Sequence, residues 1–141
     1  PPPRASLNSD DPNDASVALL VRTAGLRLLL LGDLEPWAQR ALLRSPAGAG
    51  LAGVDVMKVA HHGSAYQDPR LMRTVAPRLA LISCGVDNPY GHPSARTVSA
   101  LRWGGAQVLR TDKDGSLAVT GTASKGLAVA ELPASARWLV R

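Results

Sequence analysis

Residues 54–64 read Val-Asp-Val-Met-Lys-Val-Ala-His-His-Gly-Ser, and this stretch decides the fold class. Its first seven residues alternate partly between apolar and polar side chains, which predicts a strand. Two histidines follow at once, and Gly63 then permits a sharp turn. Residues directly after a strand lie at the edge of an α/β sheet, where such sheets bind their ligands.

The segment before this strand predicts a hairpin and a helix. Two apolar runs, 16–22 and 26–31, are separated by a short turn that contains Gly25, as in an antiparallel hairpin. Because both runs are nearly all apolar, we expect both strands to be covered on both faces. Helical spacing then extends from Glu35 to Arg44. The predicted buried face of this helix contains Trp37, Ala41 and Leu42.

The segment after the strand continues the alternation. A short helix is predicted to start at Asp68-Pro69 and a longer one at Pro93, because proline suits the first helical turn. Further strands are predicted at 79–83, 107–110, 116–120 and 138–140. The turn at 112–115 is typical of a hairpin between 107–110 and 116–120. The order β-β-α-β-α-β-α-β-β predicts an α/β layered domain.

Composition excludes several other classes of protein. With 45% hydrophobic residues among 141, the chain can bury a core, which excludes a wholly disordered protein. Cys84 is the single cysteine, which excludes both an internal disulfide and a cysteine-based zinc site. The net charge of +5 favours an anionic partner, although the basic residues are scattered and form no run. Residues 1–14 are predicted to form a loop at the domain edge, and 15–141 the domain.

Ligand-type residues follow three of the predicted strands. Asp33 comes after the second strand, His61 and His62 after the third, and His92 after the fourth. Carboxylate and imidazole together suit zinc, manganese or non-haem iron. Two alternatives stay open at this point, because Asp33 could cap the following helix and a lone histidine is often a surface or core residue.

Six short motifs together resemble a known family. They are Asn13 with Ser16, Leu30-Leu31-Gly32-Asp33, the residues 56–64, Ile82-Ser83-Cys84-Gly85, Asn88-Pro89-Tyr90-Gly91-His92-Pro93 and the residues 110–115. The series resembles the C-terminal metallo-β-lactamase-like domain of the ComEC family of bacterial DNA-uptake (competence) proteins, over roughly 13–119. The combination of His-His-Gly-Ser with Tyr-Gly-His-Pro is far more specific than either motif alone.

The resemblance implies an αββα sandwich of which this chain is about the C-terminal half. Two divalent metal ions, zinc or manganese, are expected between the halves, with Asp33 as the bridging carboxylate and His92 as a ligand. Of the two adjacent histidines we expect His61 to be a ligand and His62 an acid or a substrate contact, an assignment that the resemblance leaves open. Lys58, Ser64, Asn88 and Tyr90 are expected to contact substrate. Further candidate phosphate contacts, which could equally be solvated surface charges, are Arg96, Arg102 and Arg110.

Two departures from the family pattern concern the metal ligands. Asn13 stands where many members carry a histidine, and the defining His-x-His-x-Asp-His motif is absent from the sequence. We therefore expect the missing N-terminal half of the domain to complete the site. On its own, this chain is expected to bind no metal tightly, to be inactive, and to self-associate through a bare sheet face.

The function implied by the resemblance is a metal-dependent nuclease domain of a DNA-uptake channel protein. It would hydrolyse phosphodiester bonds of incoming DNA during transformation, as a soluble domain of a bacterial inner-membrane protein. Its partners would be DNA and the membrane channel part of the same protein. The alternatives are a metallo-hydrolase of a small ester, phosphoester or lactone, and a catalytically inactive DNA-binding or assembly module.

Overall fold

A five-stranded sheet forms the centre of the molecule in the computed structural model, which describes residues 11–132. The strands lie in the order β1-β2-β3-β4-β5. Their bounds are β1 Leu19–Thr23, β2 Leu26–Leu30, β3 Val56–Lys58, β4 Leu79–Ile82 and β5 Gln107–Arg110. β1 pairs antiparallel with β2, and the other neighbours pair in parallel. The fold is therefore mixed α/β with a mostly parallel sheet, as the sequence predicts.

Helices connect the parallel strands, and a second sheet follows them. The helices are α1 Pro36–Arg44, α2 Pro69–Val75, α3 Ala95–Trp103 and the short α4 Thr111–Asp114. β6 Ser116–Thr122 and β7 Gly126–Leu132 form a separate two-stranded sheet. α2 begins where the sequence predicts, because the Asp68 carboxylate accepts hydrogen bonds from the N–H groups of Arg70 and Leu71. The predicted start of α3 at Pro93 was wrong: Ser94 is the N-cap and accepts from the Arg96 N–H, so the helix begins at Ala95. Apart from α4 and β7, which were not predicted from the sequence, this order of elements confirms the predicted one.

The helices cover one face of the sheet. The core beneath them contains Leu29, Met57 and Ile82 from the strands, with Leu71 and Val98 from the helices. This layer fixes the strands and helices relative to one another, so that the loops at the sheet edge have defined positions.

The buried face of α1 differs from the predicted one. Trp37 is 46% exposed, whereas Ala38 and Gln39 are buried. Gln39 tolerates burial because its polar atoms are paired: Nε2 donates to the Leu34 carbonyl at 2.7 Å, and Oε1 accepts from the Asp68 N–H at 2.7 Å. The prediction that Trp37 is buried was therefore wrong. The buried face of α1 contains the polar Gln39, so a pattern of apolar residues alone indicates the wrong face.

The hairpin of β6 and β7 covers part of the other sheet face. Leu117, Val119, Leu127 and Val129 pack there against a small cluster of strand residues: Val56, Leu79 and Leu109. The predicted hairpin of 107–110 with 116–120 was wrong. Residues 111–114 form α4 instead, and the Asp114 carboxylate accepts from the Arg110 N–H at 2.6 Å, so the chain leaves the first sheet and β6 pairs with β7.

The edge strand β1 departs from the expectation of burial on both faces. Leu19 is 50% exposed and Val21 37% exposed, and neither belongs to the cluster that the β6–β7 hairpin covers. We also expected one sheet face to be bare, but the hairpin of β6 and β7 covers that face at β3, β4 and β5.

The predicted strand at 138–140 lies outside the described residues. Within residues 11–132, no helix is long and apolar enough to cross a membrane.

Candidate active site at the carboxyl ends of the parallel strands

The structure brings the four predicted ligand-type residues to one edge of the sheet. β2, β3 and β4 are parallel neighbours, so the segments that follow them meet at their carboxyl ends. The ring centroids of His61 and His92 are 5.3 Å apart, and those of His61 and His62 are 6.4 Å apart. Nε2 of His62 lies 3.7 Å from Oδ1 of Asp33. Asp33 thus lies beside His62, and His61 lies near both His62 and His92, while a single metal site formed by Asp33, His61 and His92 stays a prediction.

The histidine turn has an unusual backbone. His61 and His62 both have positive φ, at 44° and 50°, where only glycine is free of steric cost. Gly63 follows with φ of 76°, and a Cβ there would lie 2.7 Å from Cβ of Pro93. Backbone hydrogen bonds hold this conformation, among them the Ser94 N–H to the Gly63 carbonyl at 2.8 Å. Strained backbone that is held in place in this way is typical of functional sites.

His62 is oriented by the end of β4. Its Nδ1 lies 2.7 Å from the backbone carbonyl of Ser83. Because a carbonyl only accepts, Nδ1 carries the proton, and Nε2 points towards Asp33. Nε2 is therefore the atom that is free to bind a metal ion or to exchange a proton. The structure places His62, rather than His61, against Asp33, while their division into ligand and acid stays a prediction.

His61 has a partner that sequence reasoning missed. Its Nδ1 lies 2.6 Å from Oε1 of Glu35, whose side chain is only 18% exposed. Glu35 occupies the N-cap position of α1 but makes no capping hydrogen bond with its side chain, so the carboxylate reaches His61 instead. The same observation removes the alternative that Asp33 caps this helix. The sequence signal that could have indicated Glu35 as a site residue is the second acidic residue in Gly-Asp-Leu-Glu, residues 32–35.

Asp33 and Lys58 add opposite charges to the site. The Lys58 ammonium lies 3.7 Å from Oδ1 of Asp33 and donates to the Gly32 carbonyl at 3.2 Å. The Asp33 backbone N–H donates to Oγ of Ser16 at 3.1 Å, which ties the Asp33 loop to the segment before β1. Lys58, predicted as a substrate contact, is therefore in a position to meet an anionic group beside Asp33.

The loop after β4 carries His92. Asn88 organises it, because Oδ1 accepts from the N–H groups of Tyr90 and His92 while Nδ2 donates to the His92 carbonyl. Tyr90 is 80% exposed and stacks on His92 at 6.1 Å between ring centroids. A cavity of about 210 Å³ opens here, lined by His62, Cys84 and this loop. Desolvation, with the neighbouring His61 and His62, lowers the pKa of His92.

The remaining predicted contacts lie away from this cavity. Ser64 is fully buried, and its hydroxyl accepts from the Tyr66 N–H at 3.3 Å, so it holds the turn. Arg96 and Arg102 are exposed on α3. Arg110 makes two hydrogen bonds to the Asp112 carboxylate, at 3.0 and 2.6 Å.

Asp112 also anchors Cys84 at the edge of the site. The Cys84 thiol donates to Oδ1 of Asp112 at 3.0 Å. Burial, together with the hydrogen bond to Asp112, raises the pKa of the thiol, which favours its protonated form. The hydrogen bonds from Arg110 lower the pKa of Asp112. Cys84, Arg110 and Asp112 therefore form a structural network that joins the ends of β4 and β5.

Comparison with known proteins adds one relative. The chain is similar to ComE operon protein 3 of Bacillus subtilis (strain 168). The two are 32% identical over 106 residues, which is 74% of this chain and 13% of the relative. The chain thus spans about an eighth of the length of that protein. No protein-family profile matches the chain. No solved structure shows a significant match.

The donor chemistry of the site suits a divalent metal, but the spacing of the donors does not. Imidazole nitrogens and a carboxylate are the ligands that zinc and manganese take in proteins. Within residues 11–132, however, no group of three or more His, Cys, Asp or Glu side chains has the spacing to hold a metal ion. The described residues therefore do not form a complete metal site by themselves.

Proposed function

We propose that this chain is part of a metal-dependent nuclease domain of a competence protein, which hydrolyses phosphodiester bonds of incoming DNA. The observation that carries the proposal is the convergence of Asp33, His61, His62 and His92 at the carboxyl ends of three parallel strands. The similarity to ComE operon protein 3 supports a role in competence and DNA uptake. In the proposed setting the domain belongs to a membrane channel protein and takes DNA as its substrate.

The proposed fold is the C-terminal half of an αββα metallo-β-lactamase-like sandwich. The parallel sheet with helices on one face and a small sheet on the other is compatible with such a half. Two zinc or manganese ions would lie between the halves, with Asp33, His61 and His92 as this chain's ligands. The further ligands would come from the N-terminal half, in line with the incomplete ligand set of the described residues.

Each side chain of the site has a task in the proposed hydrolysis. Bound divalent ions would lower the pKa of a water molecule and stabilise charge on the phosphate. In the reaction a water oxygen bonds to phosphorus, one P–O ester bond breaks, and the leaving oxygen takes up a proton. His62 donates that proton from Nε2, since the Ser83 carbonyl fixes its ring through Nδ1. Lys58, beside Asp33, neutralises the phosphate as it enters.

The test is cleavage of linear DNA by the intact domain, with manganese or zinc added. We expect His62→Asn to reduce cleavage about 10²–10⁴-fold, the usual contribution of a general acid. Asn tolerates the left-handed backbone at this position, so the variant should keep its fold. Asp33→Asn should reduce cleavage similarly, whereas Asp87→Asn, the same change at an exposed loop residue, should have no effect.

Three outcomes would contradict the proposal. One is cleavage of DNA that persists in both His62→Asn and Asp33→Asn. The second is a domain that takes up metal and hydrolyses a small ester or lactone while leaving DNA intact, which would favour the metallo-hydrolase alternative. The third is a domain that binds DNA but hydrolyses neither substrate, which would favour the inactive module.

A further inference from the structure

A groove separates α2 from α3 on the helical side of the sheet. It has a volume of about 450 Å³, and its walls include Met72, Pro77 and Leu101. Trp103, at the end of α3, lines it with a side chain that is 97% exposed. An indole that is left in solvent beside an apolar groove is a ready surface for another planar ring.

The charges along the groove are all positive. Arg73 from α2 and Arg96 from α3 line it, and none of its twelve lining residues is acidic. Among the described residues, neither guanidinium forms an ion pair with a carboxylate. The groove therefore offers two available cations and an aromatic face, which is the combination that single-stranded nucleic acids bind through phosphates and bases.

A single strand fits this combination better than a duplex does. In a duplex the bases stack on one another and cannot lie on Trp103. In a single strand they are free to stack on an aromatic side chain while the backbone follows a basic groove. The overall charge of +5 adds a general attraction for the strand.

The groove is physically joined to the histidine turn. At one end it is lined by Ala65 and Gln67, which directly follow that turn. Thr97 Oγ1, in the first turn of α3, donates to the Ser64 carbonyl at 2.6 Å. The nine residues of α3 span about 13 Å, from its first turn, next to Ser64, to Trp103 at its last residue. A strand that lies in the groove would thus have one end beside the site.

We infer that the groove between α2 and α3 binds single-stranded DNA, with a base stacked on Trp103 and phosphates on Arg73 and Arg96. The inference rests on the proposed function in taking DNA as the ligand. Binding is measured separately from cleavage, so that either can fail alone.

The first experiment is fluorescence anisotropy of a labelled oligo-dT of about 15 nucleotides, within the site sizes of single-strand binding proteins, in buffer with EDTA. Trp103→Ala should weaken binding by at least about fivefold, and Trp103→Phe should restore most of the affinity. The matched control is Trp37→Ala, a half-exposed tryptophan on α1 that lies outside the groove. Circular dichroism of each variant verifies the fold.

The second experiment removes the cations of the groove. Arg73→Ala/Arg96→Ala should weaken binding and reduce the dependence of log K on log salt by about 1.4, for two phosphate contacts to a single strand. Arg22→Ala/Arg44→Ala removes the same charge from exposed residues elsewhere and should leave the slope unchanged. A duplex of the same sequence length should bind more weakly than oligo-dT.

The inference is overturned if oligo-dT does not bind, or if the groove variants behave like their controls. It is also overturned if an acidic helical peptide, rather than oligo-dT, binds the groove. The proposed function is judged by other variants: Asp33→Asn and His62→Asn should bind oligo-dT normally in EDTA while losing cleavage. If the intact domain does not cleave DNA but Trp103→Ala lowers its affinity, the groove stands and the nuclease proposal fails.

Discussion

At the scale of single residues, Glu35 holds His61 from outside the predicted site. Its carboxylate lies 2.6 Å from Nδ1 of His61, so it fixes the orientation of the ring. Under the proposed function, we expect Glu35→Gln in the intact domain to reduce DNA cleavage about 10- to 100-fold, the usual effect of losing the partner of a histidine that binds a metal. Initial rates of DNA cleavage measure this. Glu131→Gln, the same change at an exposed residue, is the control, and equal rates for both variants would show that His61 needs no partner.

The ion pair between Arg110 and Asp112 makes a pH-dependent contribution to stability. The pKa of Asp112 is lowered by the hydrogen bonds from Arg110, so its charged form stabilises the folded state. That contribution is fully present above the ordinary aspartate pKa, about 3.9, and is lost as pH falls through the lowered value.

We expect Asp112→Asn to lower the free energy of unfolding by about 1–3 kcal/mol near neutral pH, because Arg110 loses a charged partner. The difference from wild type should shrink as the pH falls below about 4. Urea titrations at both pH values measure it. A difference that stays constant with pH, or an equal loss in Asp87→Asn, would show that the pair contributes nothing through its charge.

The residues of the site were predictable to different degrees. Asp33, His61, His62 and His92 each follow a predicted strand, and parallel strand ends meet at one edge, so their convergence could be expected. The partners of these residues could not be predicted from the sequence. The Ser83 carbonyl that orients His62 is a backbone group and carries no sequence signal, and Glu35 equally suits the first turn of a helix.

At the scale of elements, the histidine turn depends on the absence of a side chain at Gly63. A Cβ at that position would lie 2.7 Å from Cβ of Pro93 and 3.2 Å from Cγ2 of Ile82, in addition to the cost of φ at 76°. At Gly53, with φ of 62°, a Cβ would meet no atom within 4 Å.

We expect Gly53→Ala to cost about 1–2 kcal/mol through the backbone alone. Gly63→Ala should cost a further 1–3 kcal/mol or so through overpacking. Thermal or urea unfolding of the two variants measures the difference. Equal losses would mean that Pro93 and Ile82 move aside without cost.

The turn after β5 shows why one element was mispredicted. Asp-Lys-Asp-Gly is a common hairpin sequence, but a glycine also suits the end of a short helix. Here Asp114 bonds to the Arg110 N–H and Gly115 adopts φ of 74°, which directs β6 away from the sheet. The choice depends on the later strand β7, which offers β6 a full antiparallel partner, so a local pattern cannot make it.

At the scale of the whole molecule, the hairpin of β6 and β7 closes the second face of the sheet. Leu127 and Val129 face the cluster around Leu79, while Ala128 and Ala130 are exposed. We expect Leu127→Ser to lower the free energy of unfolding by about 1–3 kcal/mol, by loss of apolar contacts. Ala128→Ser should change it by less than about 0.5 kcal/mol. Chemical denaturation measures both, and equal values would mean that the hairpin does not stabilise the sheet.

The left-handed backbone at His61 and His62 has a consequence for protein engineering. At both positions glycine would relieve a conformational cost of about 1–2 kcal/mol per residue, and asparagine would reduce it. A library that is selected for thermal resistance alone should therefore replace these two histidines early. The most heat-resistant variants would then be those that have lost both histidines from the sheet edge.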